Sequence, residues 1–127
     1  MDFRDHRKRH PFVRFLRSFI YASRGIWRTL LNERNFKIHT VAAIVVTFCG
    51  FWLHISSTEW MIVLLLIGGM LALELVNTAI EHAIDLVTEK KHPLAERAKD
   101  AAAGAVCVFA AISVMIGLII FLPKIVQ

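Results

Sequence analysis

Glu74, Asn77, Glu81 and Asp85 close an otherwise apolar stretch that runs from Trp60 to Ile80. At 100° per residue these positions fall within roughly an 80° arc, so a helix carries them on one stripe. Three carboxylates and an amide on one face suit a divalent cation and a proton transfer. Asn77 alone would serve as interhelical glue worth roughly 1 kcal/mol, and Asp85 alone as an ordinary surface acid. Glu74 resists that reading, because an acidic side chain at membrane depth costs roughly 2.5–3.5 kcal/mol on insertion scales and marks function by default.

Depth separates the members of the stripe. Trp60 marks the outer interface, and Glu74 lies about 21 Å further along a helix rising 1.5 Å per residue. Glu81 follows after about 10 Å and Asp85 after another 6 Å or so. Glu74 is therefore expected at the level of lipid hydroxyls in the inner leaflet, Glu81 at the cytoplasmic surface and Asp85 in water. Such a stripe connects a lipid-soluble substrate to a water-soluble one. Glu33 is expected at the same level from another helix, and two carboxylates with substrate phosphate oxygens suit Mg²⁺. Lys99 and Asp100 enter at that level too, the lysine able to neutralise phosphate. Arg14 and Arg17 are placed to reach phosphates from an N-terminal helix.

The elements that must position these groups follow from hydropathy. The 127 residues are 57% hydrophobic, too apolar for an ordinary soluble domain of this size. Three segments, 38–55, 60–79 and 101–122, are long enough to cross about 30 Å of hydrocarbon as helices. Residues 1–11 read as a polar, basic tail. Over 12–31 Phe12, Phe15, Leu16, Phe19, Ile20, Ile26, Trp27, Leu30 and Leu31 recur at helical spacing among arginines, the pattern of a helix in the membrane interface. Gly25 is the point where that helix would loosen or bend, and residues 32–37 read as its link to the first span. The second span is expected to continue to about Val87, and Pro93 to open a new helix. The third span starts on small residues, Ala101 to Ala105, which allow close helix approach. The fold class is thus all-α: one amphipathic surface helix and three transmembrane helices in a single integral-membrane domain, 1–127.

Orientation follows from the basic residues. Residues 1–37 hold ten Lys or Arg against three Asp or Glu, the link 56–59 has no basic residue, and the link between spans two and three contains Lys90, Lys91, Arg97 and Lys99. The positive-inside rule places the N-terminus, the second link and the polar stripe on the cytoplasmic side of the cell membrane. The basic balance suits anionic lipid, and no nucleic-acid module is present. Cys49 and Cys107 read as small apolar fillers. The N-terminus does not read as a signal peptide. His39, His54 and His82 lack metal-ligand spacing and read as interfacial polar residues. Ser18, Ser23 and Thr78 lack a base partner. No P-loop, kinase or dinucleotide glycine signature occurs. A small proton-coupled transporter would account for Glu74 but not for Glu81, Asp85, Lys99 and Asp100 massed at one edge.

The run Glu74-Leu75-Val76-Asn77-Thr78-Ala79-Ile80-Glu81, with Asp85 beyond it and Arg97-Ala98-Lys99-Asp100 downstream, resembles the prokaryotic diacylglycerol kinase and undecaprenol kinase family. Asn32-Glu33-Arg34-Asn35-Phe36-Lys37-Ile38-His39 is similar to the Gram-positive undecaprenol kinase branch. The resemblance implies a homotrimer with active sites shared between neighbouring subunits, and transfer of the ATP γ-phosphoryl group to a lipid alcohol with Mg²⁺. Undecaprenol is the expected acceptor and diacylglycerol the alternative. By position, Glu74 resembles the catalytic base, with Asn77 orienting the site, and Glu33 and Glu81 resemble the metal-holding carboxylates. Arg14, Glu33, Glu81, Asp85, Lys99 and Asp100 would contact ATP, and Arg17 and Tyr21 would join Glu74 at the lipid substrate. Thr88-Glu89-Lys90 stands where Gram-negative relatives have a Gly-Ser-Glu nucleotide contact, so Thr88, Glu89 and Lys90 carry that assignment without its glycine.

Overall fold

The computed structural model describes residues 10–127; up to residue 9 the expected basic tail lies outside them. Four helices follow in order: α1 Pro11–Asn32, α2 Arg34–Trp52, α3 Ser57–Val87 and α4 Pro93–Val126. They fall into two units, one containing α1 and the other running from Glu33 to Gln127.

α1 is continuous through Gly25. Phe12, Phe15, Phe19, Ile20 and Trp27 are all exposed, and Phe15 and Phe19 meet edge to face with centroids 5.2 Å apart. Arginines interleaved with exposed aromatics make this an amphipathic surface helix. The link expected over residues 32–37 is shorter than the sequence implied. Residues 34–37 are the first turn of α2, and Glu33 is the only non-helical residue between α1 and α2. Glu33 takes an extended backbone at the N-cap of α2, and its side chain makes no capping hydrogen bond.

α2, α3 and α4 are each long and apolar enough to cross a membrane. At 1.5 Å per residue α3 is about 46 Å long and α4 about 51 Å, against about 30 Å of hydrocarbon. Both helices therefore project beyond the lipid core, and in α3 the surplus length carries Glu81 and Asp85. In α4 it carries the charged turns Pro93–Asp100, which precede the apolar stretch.

Two short turns make the helices antiparallel. After α2 the chain enters the left-handed region at His54, φ 52°. Ile55 N–H donates to the Gly50 carbonyl and His54 N–H to that of Phe51, the paired bonds of a Schellman closure. Ser56 then caps α3: its hydroxyl accepts from Glu59 N–H, and the Glu59 carboxylate accepts from Ser56 N–H. Lys124 reaches back from α4 to the same carboxylate at 3.3 Å. At the other end α3 stops at Thr88, and Pro93 opens α4 behind the N-cap His92.

Ile55, Val63 and Ile120 form a buried cluster, with Trp60 and Phe121 packed against them, at the turn between α2 and α3; Phe36 and Met70 are buried further from that turn. Much of the remaining apolar surface faces outward: Phe48, Leu65 and Ile119 are each about 70% exposed or more. Surface of that kind belongs against lipid or another protein chain, not water.

The α3–α4 contact depends on the absence of a side chain at Gly69, where a Cβ would stand 2.5 Å from the Phe109 ring. Gly69→Val should cost about 1–3 kcal/mol by overpacking. Phe109→Ala in the same chain should relieve the clash, so the double variant is destabilised by less than the sum of the two single changes. Thermal unfolding in detergent checks this, and strict additivity would contradict it.

Candidate active site

In a bundle with most side chains exposed, α3 buries a short polar row. Glu74 is 3% exposed, Thr78 6% and Asn77 9%. Antiparallel pairing explains what meets Glu74. His39 lies 17 residues before Ser56 and Glu74 lies 18 after it, so equal rise along the two helices brings them level. The His39 Nε2 atom is 3.2 Å from Glu74 Oε1. That spacing is an ion-pair distance without hydrogen-bond direction, and Glu74 Oε1 has no hydrogen-bond partner among the described residues. Asn77 donates from Nδ2 to Glu81 Oε1 at 3.3 Å, leaving its own buried Oδ1 unpartnered. Both of these buried acceptor oxygens are therefore without a donor among the described residues.

Glu33 enters from the start of α2. Free of any capping role, its carboxylate lies 3.8 Å from His82 Nε2 on α3. Glu33 and Glu81 both stand near enough for their charges to act on Glu74. No group of three or more His, Cys, Asp or Glu among the described residues forms a ready metal cage. Two carboxylates beside unpartnered oxygens fit Mg²⁺, which binds through one or two carboxylates and completes its shell with water and substrate phosphate.

Further along the stripe, Asp85 accepts a hydrogen bond from the Lys99 ammonium across the α3–α4 corner. That bond holds the Lys99 pKa above its ordinary value. Beside the pair a pocket of ≈ 270 Å³ is lined by Thr88, Glu89, Lys90, Lys91, Lys99 and Asp100, among others. The Thr88 hydroxyl accepts from Lys90 N–H at 3.1 Å, which folds the turn and brings the lysines to one mouth. In the opposite direction from Glu74 runs an apolar groove of ≈ 400 Å³, with Ala43, Val46, Val63, Met70 and Gly117 in its walls and His39 as a polar lining residue. Glu74 thus stands between an apolar volume and a charged one that lysines and carboxylates line in equal number.

The structure brings Glu33, Glu74, Asn77 and Glu81 into one cluster. It gathers Thr88, Glu89, Lys90, Lys99 and Asp100 around one pocket, beside Asp85. Arg14, Arg17 and Tyr21 lie on α1, in the other unit, where the Arg24 guanidinium stands 5.9 Å from the centre of the Tyr21 ring. His39, read from the sequence as an interfacial polar residue, is turned toward Glu74; His82, read the same way, is largely exposed and lies beside Glu33. Equal distance from the Ser56 turn was the available signal for His39.

A model of the family described as prokaryotic diacylglycerol kinase matches residues 20–121. An undecaprenol kinase of Bacillus subtilis is 62% identical over 124 residues, which cover 98% of this chain and 99% of that one. A diacylglycerol kinase of Synechocystis is 38% identical over 107 residues, 84% of this chain and 61% of that protein. A diacylglycerol kinase of Escherichia coli is 25% identical over 104 residues, 82% and 85% of the two chains. The matched span holds Glu33, the stripe from Glu74 to Asp85, and Lys99 with Asp100; the chain belongs to the prokaryotic diacylglycerol kinase family.

Proposed function

We propose that this protein is an integral-membrane kinase that transfers the γ-phosphoryl group of ATP to the hydroxyl of a lipid alcohol, with undecaprenol as acceptor and undecaprenyl phosphate as product. The observation that carries the reading is Glu74: a buried carboxylate set between an apolar groove and a pocket lined by lysines and carboxylates. Undecaprenol is favoured over diacylglycerol by the 62% identity to the Bacillus subtilis undecaprenol kinase, against 38% to the Synechocystis diacylglycerol kinase.

Phosphoryl transfer needs an in-line approach, neutralised phosphate charge and a group that takes the nucleophile's proton. Glu74 accepts the proton of the lipid hydroxyl as its oxygen bonds to the γ-phosphorus. The bond from that phosphorus to the bridging oxygen breaks, and ADP leaves. Asn77 holds Glu81 in place. Glu33 and Glu81 hold Mg²⁺, which when bound offsets charge on the phosphate oxygens. Lys90, Lys99, Thr88, Glu89 and Asp100 surround the phosphates and ribose, with Asp85 fixing Lys99. By the family resemblance, Arg14 is assigned to ATP, and Arg17 and Tyr21 to the lipid. The site opens to the cytoplasm, an orientation supported by the basic residues of the N-terminus and of the α3–α4 link. A homotrimer completes the proposal; it would cover part of the apolar surface that the single chain leaves exposed.

Glu74→Gln should lower turnover by about 10²–10⁴-fold while the helices and their assembly persist. Transfer of γ-labelled phosphate to undecaprenol and diacylglycerol, assayed side by side, measures this, and undiminished turnover removes the base assignment. Glu33→Ala and Glu81→Ala should each raise the Mg²⁺ concentration at half-maximal activity by roughly tenfold, the loss expected when a site gives up one of few ligands. Superimposable Mg²⁺ titrations would count against both ligands.

A further inference from the structure

A base in an apolar interior needs a partner, because burial alone disfavours its ionised form. Among the described residues, His39 from α2 stands 3.2 Å from Glu74 Oε1, and the carboxylates of Glu81 on its own helix and Glu33 at the start of α2 lie in the same neighbourhood. Two of these are carboxylates, which repel. His39 is the single group among them able to donate a proton or carry positive charge. The cation nearest the stripe on α4, Lys99, is bound to Asp85.

We propose that His39 is the positioning residue of this site: its Nε2–H holds Glu74 Oε1, leaving the other carboxylate oxygen to take the hydroxyl proton. This rests on the reading of Glu74 as base. Three observations carry it. Nε2 lies 3.2 Å from Oε1, and Oε1 is the buried oxygen that no hydrogen-bond donor reaches in correct geometry. The side chain of His39 is only 27% exposed and that of Glu74 3%, so water does little to screen the contact. His39 also lines the apolar groove, so it borders the volume from which a lipid hydroxyl would arrive. Bonds of this kind are commonly loose before substrate binds and tighten in the reacting complex. His39 moves no proton itself in this scheme; it fixes which oxygen of Glu74 does.

The test uses the full-length protein in lipid vesicles with undecaprenol, Mg²⁺ and ATP. His39→Leu should lower kcat by about 10–100-fold with KM for ATP within twofold or so, because it removes an interaction that matters at the proton-transfer step. His39→Gln, which restores an N–H donor at similar reach, should keep at least about a third of wild-type kcat. Unchanged kcat in the leucine variant overturns the proposal, as do equal losses in both variants or a loss confined to KM for ATP. If the leucine variant does not fold, His39→Ala with added imidazole decides: recovered kcat supports the role and no recovery overturns it. Glu74→Gln is assayed in parallel. Wild-type turnover there removes the base reading itself, whereas its loss beside an unaffected His39→Leu overturns the positioning role alone.

Discussion

A carboxylate inside a hydrocarbon-facing bundle is the constraint around which this protein is arranged. Glu74 loses nearly all contact with solvent, and an ionised group in that position is unfavourable by several kcal/mol unless something compensates. The neighbourhood compensates only in part. His39 stands close without a completed hydrogen bond, two further carboxylates add repulsion, and an amide oxygen beside Glu74 is also without a donor. On the proposed reading, the lipid hydroxyl and the metal would complete this site, and a carboxylate oxygen left free of donors is what a proton acceptor needs.

The bundle serves this one group in two ways. One apolar cluster sits at the far turn, where Ile55, Val63 and Ile120 pack, Ser56 caps α3 and Lys124 binds Glu59, while Phe36 and Met70 are buried nearer the candidate site. The ends of α2, α3 and α4 opposite that turn carry the charged residues. The surplus length of α3 and α4 beyond the lipid core then turns one helix face into a graded path, from buried Glu74 through half-buried Glu81 to exposed Asp85. On the proposed reading a lipid alcohol would enter such a path at one end and a nucleotide at the other, so neither would have to leave its own solvent.

Much of this was legible in the sequence, because hydropathy and helical periodicity report what lies on one helix. The end of α3 at Val87, the Pro93 start of α4 and the single stripe of Glu74, Asn77, Glu81 and Asp85 all follow from such local rules. What the rules do not report is which faces meet. His39 sits 35 residues from Glu74 in the chain, and its place beside Glu74 emerges only when α2 and α3 fold back about the Ser56 turn. The Asp85–Lys99 bond is invisible to the sequence for the same reason, since it joins α3 to α4. The region 32–37 reads as a link because its Asn, Glu, Arg and Lys residues look like a polar connection. In the structure all but the first two form the opening turn of α2, and Glu33 is left between helices with its side chain free.

The central claim is that a lipid hydroxyl meets Glu74 where the apolar groove ends. The most direct measurement is photo-crosslinking with an undecaprenol analogue whose reactive group sits beside the hydroxyl, followed by mapping of the modified residues. The account predicts adducts on α3 around Glu74 and on α2 around His39, displaced by excess undecaprenol. Adducts confined to the Trp60 end of the bundle, with none near Glu74, would contradict it.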